Sequence, residues 1–413
     1  MNYEAFLELT IDLAYEVQRS GAETYRVEDT VTHLLRAYGV QGEVFAIPNT
    51  IIVSIRTPEG EHLNRMRRSK GGGTDMESLE KFAGLCREIC REKPDLKDFK
   101  RRLEETRRDV RRYSKLFVLL GHALAAGGFT LFFGGQLIDV PVGLICGLVI
   151  GLCGMLMDRV QTNVFFRTVA SGFALCMAAY TMFWLGFGKC PDATIIGSLM
   201  LLVPGLLFTN SVRDVIYGDS MSGVNRMVQV AIIAIALAVG TGAAASLCYR
   251  LFDLTAGAAE IVYPFWVQTL GAVVAATGFM MVFNVHGHGC PLSLVGCVLS
   301  WGCCTLCMSL GMSEALSFLP ATAAAAVYAE VMARIRRCPA TAYLVIALLP
   351  LIPGSSIYYT MVHAVRGEMA QFSQRGMNTA ALAGAMAVGI LLVSTAFRMW
   401  TTSKMRRLAL KAK

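Results

Sequence analysis

The chain is 413 residues long, 54% hydrophobic and only 16% charged, with a formal net charge of +8 and a mean hydropathy of +0.51. So few charges exclude a wholly soluble globular protein, and they crowd into residues 56–115 ahead of a long apolar stretch. The composition reads as a small soluble domain followed by a polytopic α-helical membrane domain, with no nucleic-acid partner and no cofactor expected.

Residues 2–19 alternate apolar and polar at helical spacing, with Phe6, Leu9, Leu13 and Val17 on one face. The N-terminus is acidic and lacks a basic n-region, so this is an amphipathic helix and not a signal peptide. Ser20-Gly21 stops it, and a second helix over 27–38 ends at Gly39. The period then changes. Val44–Ile47 and Ile51–Ile55 flank Pro48-Asn49 as a hairpin, and a poorer third strand covers 63–67. A flexible Lys70–Gly73 loop leads to helices over 75–91 and 94–113, the second expected to run straight into the first membrane span. This gives an α+β domain over 1–112.

The segment SGAETYRVEDT, Ser20 to Thr30, has two readings. It is a helix–turn–helix join with Gly21 as the stop and Thr24 as the N-cap. Alternatively it is an acidic and basic cluster that senses a ligand or contacts the membrane domain. His33 and His62 lie beside no nucleophile pattern, so no enzyme is expected.

A window of about 19 residues marks ten spans, at 116–134, 140–157, 165–187, 193–216, 226–249, 261–283, 291–310, 314–333, 341–363 and 378–399. The second five repeat the first. Slid so that Gly121 meets Gly271, the sequence also pairs Ala125-Ala126 with Ala275-Ala276, Gly128-Phe129 with Gly278-Phe279, and Pro141 with Pro291. A shift differing by one residue pairs Leu202-Val203-Pro204-Gly205 with Leu351-Ile352-Pro353-Gly354. An odd number of spans per copy, over 113–252 and 253–413, inverts the second copy in the membrane. A 5+5 inverted repeat with matched helix breaks is the pattern of a secondary transporter.

Loop charges orient it. Arg101, Arg102, Arg107, Arg108, Arg111, Arg112 and Lys115 precede the first span. Arg334, Arg336 and Arg337 follow the eighth, and Lys404, Arg406, Arg407, Lys411 and Lys413 lie in the tail. The positive-inside rule makes all of these, and both termini, cytoplasmic in a bacterial inner membrane. The loop from His363 to Arg375 fits least well, since Arg366 and Arg375 fall outside with only Glu368 against them. A nine-span arrangement, which would move the tail, is the alternative.

Proline and glycine inside a span free backbone groups that must face a cavity, protein or water. Half-helices starting after Pro204-Gly205 and Pro353-Gly354 would offer free N–H groups and a partial positive charge to a carboxylate. The substrate-binding candidates are therefore Pro204, Gly205, Thr209, Asn210 and Ser211 in the first copy, and Pro353, Gly354, Ser355, Ser356, Tyr358 and Tyr359 in the second. Arg213 and Asp214 form a gate or a buried pair, and His122 is a proton relay or a helix-contact donor. No metal is expected: His286 and His288 with Cys290 make an incomplete site, and the pair Cys304 and Cys307 lies on a membrane helix. The thirteen cysteines mostly sit in apolar runs as small packing residues, expected reduced.

SGAETYRVED, followed by the hairpin, the basic helix, the repeat and the run VPGLLFTNSVRDVIYGD over 203–219, resembles the threonine/serine exporter (ThrE-like) family along essentially the whole chain. The resemblance implies export of small metabolites, threonine and serine for some members and short dicarboxylates such as succinate for split relatives. The partners implied are a carboxylate-bearing substrate and membrane lipid, and the sequence leaves a homo-oligomer open. No P-loop is present, so proton-coupled secondary active export is expected, with a passive channel or a ligand-sensing membrane anchor as the alternative.

Overall fold

The computed structural model describes residues 1–69, 73–252 and 261–411. The expected Lys70–Gly73 loop lies outside them except for Gly73, as does most of the loop Arg250–Glu260.

Helix α1, Tyr3–Arg19, starts where the Asn2 side chain accepts the Ala5 N–H at 3.0 Å. Its apolar stripe of Phe6, Leu9, Leu13 and Val17 is buried. Helix α2, Thr24–Ala37, is followed by a three-stranded antiparallel sheet of β1, Gln41–Ile47, β2, Thr50–Arg56, and β3, His62–Arg68, in the order β1-β2-β3. Ile47 pairs with Thr50, so Pro48-Asn49 is the two-residue turn. Ile51, Val53 and Ile55 alternate into the core that α1 and α2 cover. Helices α3, Met76–Glu92, and α4, Leu96–Asp109, are N-capped by Asp75 and Asp95.

Helix α4 does not continue into the membrane. It ends at Asp109, Val110 is extended, and Ser114 caps a new helix through the Phe117 N–H. The intervening turn is held from outside. Asn284 donates to the Arg111 carbonyl at 2.8 Å and accepts the Tyr113 N–H at 3.3 Å, and the Tyr113 hydroxyl donates to the Val285 carbonyl at 3.0 Å. A local cap plus these long-range bonds outweigh helix continuation.

The apolar part comprises α5, Lys115–Phe132; α6, Val140–Arg159; α7, Val164–Trp184; α8, Pro191–Leu199; α9, Gly205–Tyr217; and α10, Ser220–Phe252. The same order recurs as α11, Phe265–Val282; α12, Gly289–Ser309; α13, Glu314–Arg336; α14, Thr341–Ala347; α15, Gly354–Val365; and α16, Met369–Lys411. Among the described residues eight helices are long and apolar enough to cross a membrane, and α14 with α15 makes a ninth if this pair, bent by 47°, counts as one span. Helices α8 and α9 are each too short to cross alone. Leu152, Leu156, Phe166, Trp266 and Leu306 are exposed on these helices, an outer surface suited to lipid.

Small residues bring α5 and α11 into backbone contact. A Cβ on Gly121 would lie 2.8 Å from the Gly278 carbonyl oxygen, and one on Gly278 would lie 2.9 Å from Ala125 Cα. At the other end, a Cβ on Gly128 would lie 2.9 Å from Ala275 Cα, and one on Gly271 would lie 2.8 Å from the Gly128 oxygen. Gly121 thus faces Gly278 while Gly128 faces Gly271, so the helices are antiparallel and the contact is reciprocal.

Candidate functional site

Both Pro-Gly pairs break their helices in the same conformation. Pro204 has φ −82° and ψ 45°, Pro353 has φ −75° and ψ 51°, and α9 and α15 begin at Gly205 and Gly354. The first helical bonds are Phe208 N–H to Pro204 O at 2.9 Å and Ile357 N–H to Pro353 O at 3.0 Å, so the N–H groups before them make no helical bond, and that of Gly354 donates instead to Ile352 O at 2.7 Å. Neither start is capped by a side chain.

The two breaks touch. A Cβ on Gly205 would run into Ile352, whose Cβ is 3.3 Å away, and one on Gly354 would meet Met200 and lie 3.5 Å from Val203 Cγ1. Val203 and Ile352 are partners in the sequence repeat. Beyond the breaks each half-helix packs on the long helix of its own copy and also on that of the other, α9 on α10 and α16, α15 on α16 and α10.

Two cavities follow from this exchange. One, of about 490 Å³, has walls from α13, α14 and α16, and is closed by Arg213 and Asp214 of α9. The other, of about 610 Å³, has walls from α7, α8 and α10, and is closed by Tyr358, Tyr359, Val362 and His363 of α15. Each cavity is therefore built mainly from three helices of one copy and one half-helix of the other.

The first cavity is roofed by the amino-terminal domain through Glu23, Tyr25, Arg26 and Asp29. Glu23 is 4% exposed. Its Oε1 accepts from Thr341 Oγ1 at 2.8 Å and from Arg213 Nη1 at 3.5 Å, and its Oε2 accepts from Arg26 Nε at 2.9 Å. Burial would raise its carboxyl, but Arg26 and Arg213 outweigh burial and hold it well below the usual carboxylate range. Arg226 pairs with Asp214 Oδ2 at 3.1 Å and donates from Nη2 to Thr24 Oγ1 at 3.3 Å. The guanidinium carbons of Arg26, Arg213 and Arg398 stand 5.7, 5.9 and 5.7 Å from the Tyr25 ring centre.

The Ser20–Thr30 segment is therefore a join whose side chains face the membrane helices. Thr24 is not the N-cap. Glu23 holds that position, yet its side chain makes no capping bond because it is turned toward Thr341 and the arginines. The domain is fastened at further points, by Met76 N–H to Phe283 O at 3.0 Å and Arg87 Nη2 to Arg337 O at 2.6 Å.

The other candidates separate into groups. Tyr358 and Tyr359 line the second cavity, together with Arg366 and Arg375, whose charges fitted poorly as an outer loop. Ser355 and Ser356 line a third cavity of about 300 Å³ beside Phe132 and Trp301. The Thr209 hydroxyl donates to its own helix at Gly205 O, 3.1 Å away, and Ser211 Oγ donates to Gly223 O at 2.7 Å. Thr209, Asn210 and Ser211 line none of these cavities, because that face of α9 packs against α10 and α16. His122 Nδ1 lies 2.8 Å from Val118 O, with its ring against Gly151 of α6. His286 stacks on Tyr113 at 4.0 Å, with Nε2 2.9 Å from Asn284 Oδ1. Cys146, Cys176, Cys297 and Cys304 are buried between helices as free thiols.

Sequence reasoning passed over Thr341 and Arg226 as site residues, and held Glu23 and Arg26 only within the Ser20–Thr30 cluster. Arg226 carried a signal, a cation at the start of an apolar span. Thr341 carried none, since it meets Glu23 across 318 positions of chain.

Apolar helices with an outward apolar surface, paired helix breaks in mutual contact and polar cavities flanking them define a polytopic membrane transporter. The chain belongs to the threonine/serine exporter family. The ThrE family profile matches residues 9–248, and a second profile, Threonine/Serine exporter, ThrE, matches residues 268–396. The chain is 22% identical over 408 residues to the "Probable threonine/serine exporter" of Mycobacterium tuberculosis, covering 94% of this chain and 76% of that protein. It is 25% identical over 244 residues to the "Probable succinate transporter subunit YjjP" of Klebsiella aerogenes, covering 57% of this chain and 91% of that one. No solved structure matches.

Proposed function

We propose that the chain is a secondary active exporter of small carboxylate-bearing metabolites, threonine and serine or a short dicarboxylate such as succinate, coupled to proton influx. It works as ten spans in a 5+5 inverted repeat, with domains meeting near residues 112 and 252 and both termini on the cytoplasmic side of a bacterial inner membrane. The observation that carries this reading is the reciprocal meeting of the two breaks, Gly205 on Ile352 and Gly354 on Val203, between two cavities of exchanged construction.

In the ten-span orientation the first cavity opens inward beneath the amino-terminal domain and the second outward. Rocking one copy against the other about the breaks would then expose the half-helix N-termini to each side in turn. The free N–H groups in the first turns of α9 and α15, with the Ser355 and Ser356 hydroxyls, receive the carboxylate. Arg366 and Arg375 give the outer mouth a positive potential, and Tyr358 and Tyr359 supply hydroxyls there. The hydroxyls of Thr209 and Ser211 serve helix packing. A passive channel fits less well, because the packed breaks separate the cavities.

The test is counterflow in proteoliposomes with labelled threonine, serine and succinate, with and without an imposed pH gradient. Accumulation of one of them, enhanced by an inward proton gradient, is expected. Equilibration of all three without trans-stimulation would sink the exporter reading in favour of a channel.

A further inference from the structure

The first cavity holds a cation that its acidic neighbours leave half used. Arg213 is 6% exposed, and its Nη2 makes no hydrogen bond among the described residues. Asp214 Oδ1 lies 4.0 Å from that nitrogen, and Asp214 is drawn to Arg226 through its other oxygen. Glu23 reaches only Nη1, at 3.5 Å. A carboxylate that belonged to this arginine would take both nitrogens in a fork.

Glu23 comes from a different domain, and its pairing with Arg26 of its own helix at 2.9 Å uses only Oε2, leaving Oε1 to the membrane helices. It is the N-cap residue of α2 and gives that helix no capping bond. Its carboxylate is instead carried into a buried place between the two copies, against Thr341 of one and Arg213 of the other. A buried carboxylate is tolerated only where it is matched by donors, so the place itself is built for a carboxylate. The cavity of about 490 Å³ beside it has room for a small metabolite as well. In the second cavity the repeat partner of Arg213 is Val362.

We infer that Arg213 and Thr341 form a carboxylate subsite for the transported metabolite, and that Glu23 fills it in this state as a tethered surrogate. The inference rests on the exporter reading for the identity of the free ligand and on the geometry for the subsite. The amino-terminal domain then acts as a competitive stopper. A metabolite carboxylate displaces Glu23, takes both nitrogens of Arg213 and the Thr341 hydroxyl, and frees the roof of the cavity to move.

Acetate is the probe that needs no knowledge of the metabolite. Thermal unfolding of the full-length protein in nanodiscs is followed in acetate against chloride at equal ionic strength. For Glu23→Ala, acetate is expected to stabilise with an apparent affinity at least roughly tenfold better than for the wild type or for Glu23→Ala/Arg213→Gln, the scale of a charge-assisted hydrogen bond. An equal response in all three proteins overturns the subsite. Glu23→Gln, which keeps the shape and removes the charge, repeats the comparison should Glu23→Ala not fold. In a second arm, L-threonine, L-serine and succinate compete with labelled acetate on Glu23→Ala. Displacement by one of them supports the inference. Acetate binding that none of them displaces removes the metabolite from this subsite and overturns it. Counterflow by the wild type, measured alongside, shows separately whether the exporter reading stands.

Discussion

The two cavities are built from equivalent helices, yet one is roofed by the amino-terminal domain and lined by buried ion pairs while the other is lined by Tyr358, Tyr359, Arg366 and Arg375. The repeat preserved the features that make the breaks. Pro204 and Pro353 have almost the same backbone angles, and each following glycine lets the opposite break approach. It did not preserve the side chains one to two turns later, where Arg213 and Asp214 stand opposite Val362 and His363. Backbone hinges must match for two halves to move against each other, whereas the walls of two separate cavities meet different partners. Here that partner is the amino-terminal domain, which touches only the first cavity.

The largest expected difference between the cavities is in charge removal. Arg213→Ala leaves Glu23 buried without its second cation, a loss of about 3–5 kcal/mol for a broken buried pair. Val362→Ala at the matching place should cost less than about 1.5 kcal/mol, since it removes two methyl groups from a half-buried side chain. Protease protection of residues 1–109 and thermal unfolding of both variants measure this. Equal losses would mean that the domain is held by its other contacts and that the asymmetry has no energetic weight.

The breaks should behave alike where the cavities do not. Gly205→Leu and Gly354→Leu each force a side chain into the opposite break, against Ile352 or Met200. Overpacking of about 1–3 kcal/mol is expected for either. The initial transport rate in liposomes, normalised to reconstituted protein, should fall by roughly tenfold or more. Pro204→Ala restores a donor and should lower transport in the same direction, while Cys303→Ala changes little. A large effect at one glycine and none at the other would break the symmetry argument.

Smaller effects sharpen the assignment of hydroxyls. Ser355→Ala should weaken metabolite binding by roughly 0.5–1.5 kcal/mol, a typical hydrogen bond. Thr209→Ala should leave binding unchanged, because that hydroxyl already donates to Gly205 O. Equilibrium binding to purified protein separates the two, and the reverse order would return the site to α9.

The smallest effect is that of pH on the roof. The Glu23 carboxyl, ordinarily near 4.5, is lowered in the docked state. Its contribution is therefore complete above the ordinary value and lost as pH falls through the lowered one. Protease protection of the domain should be flat between about pH 5 and 8 and weaken only in stronger acid. Loss of protection on going from pH 8 to 6 would point to another group.

Much of the fold is legible because it is written locally. The stripe Phe6, Leu9, Leu13 and Val17, the Pro48-Asn49 turn and the apolar runs each reflect a periodicity or a turn chemistry contained within a few residues. The third strand was hardest to see, since His62–Arg68 exposes most of its side chains and depends on pairing with β2. The α4–α5 break was missed for a related reason: Ser114 is a local cap, but Asn284, which holds the turn, lies in another copy of the repeat.

The sequence by itself determined that this chain is a helical membrane protein with an α+β domain, and where its two Pro-Gly breaks lie. Hydrophobic period, proline's missing donor and glycine's missing Cβ act wherever the residue sits. Only the tertiary structure decided that the breaks touch, that Thr209 and Ser211 face helix neighbours, and that Glu23 reaches Arg213 and Thr341. Such pairings join residues 190 and 318 positions apart, and a side chain's own neighbours carry no trace of the partner it will meet after packing.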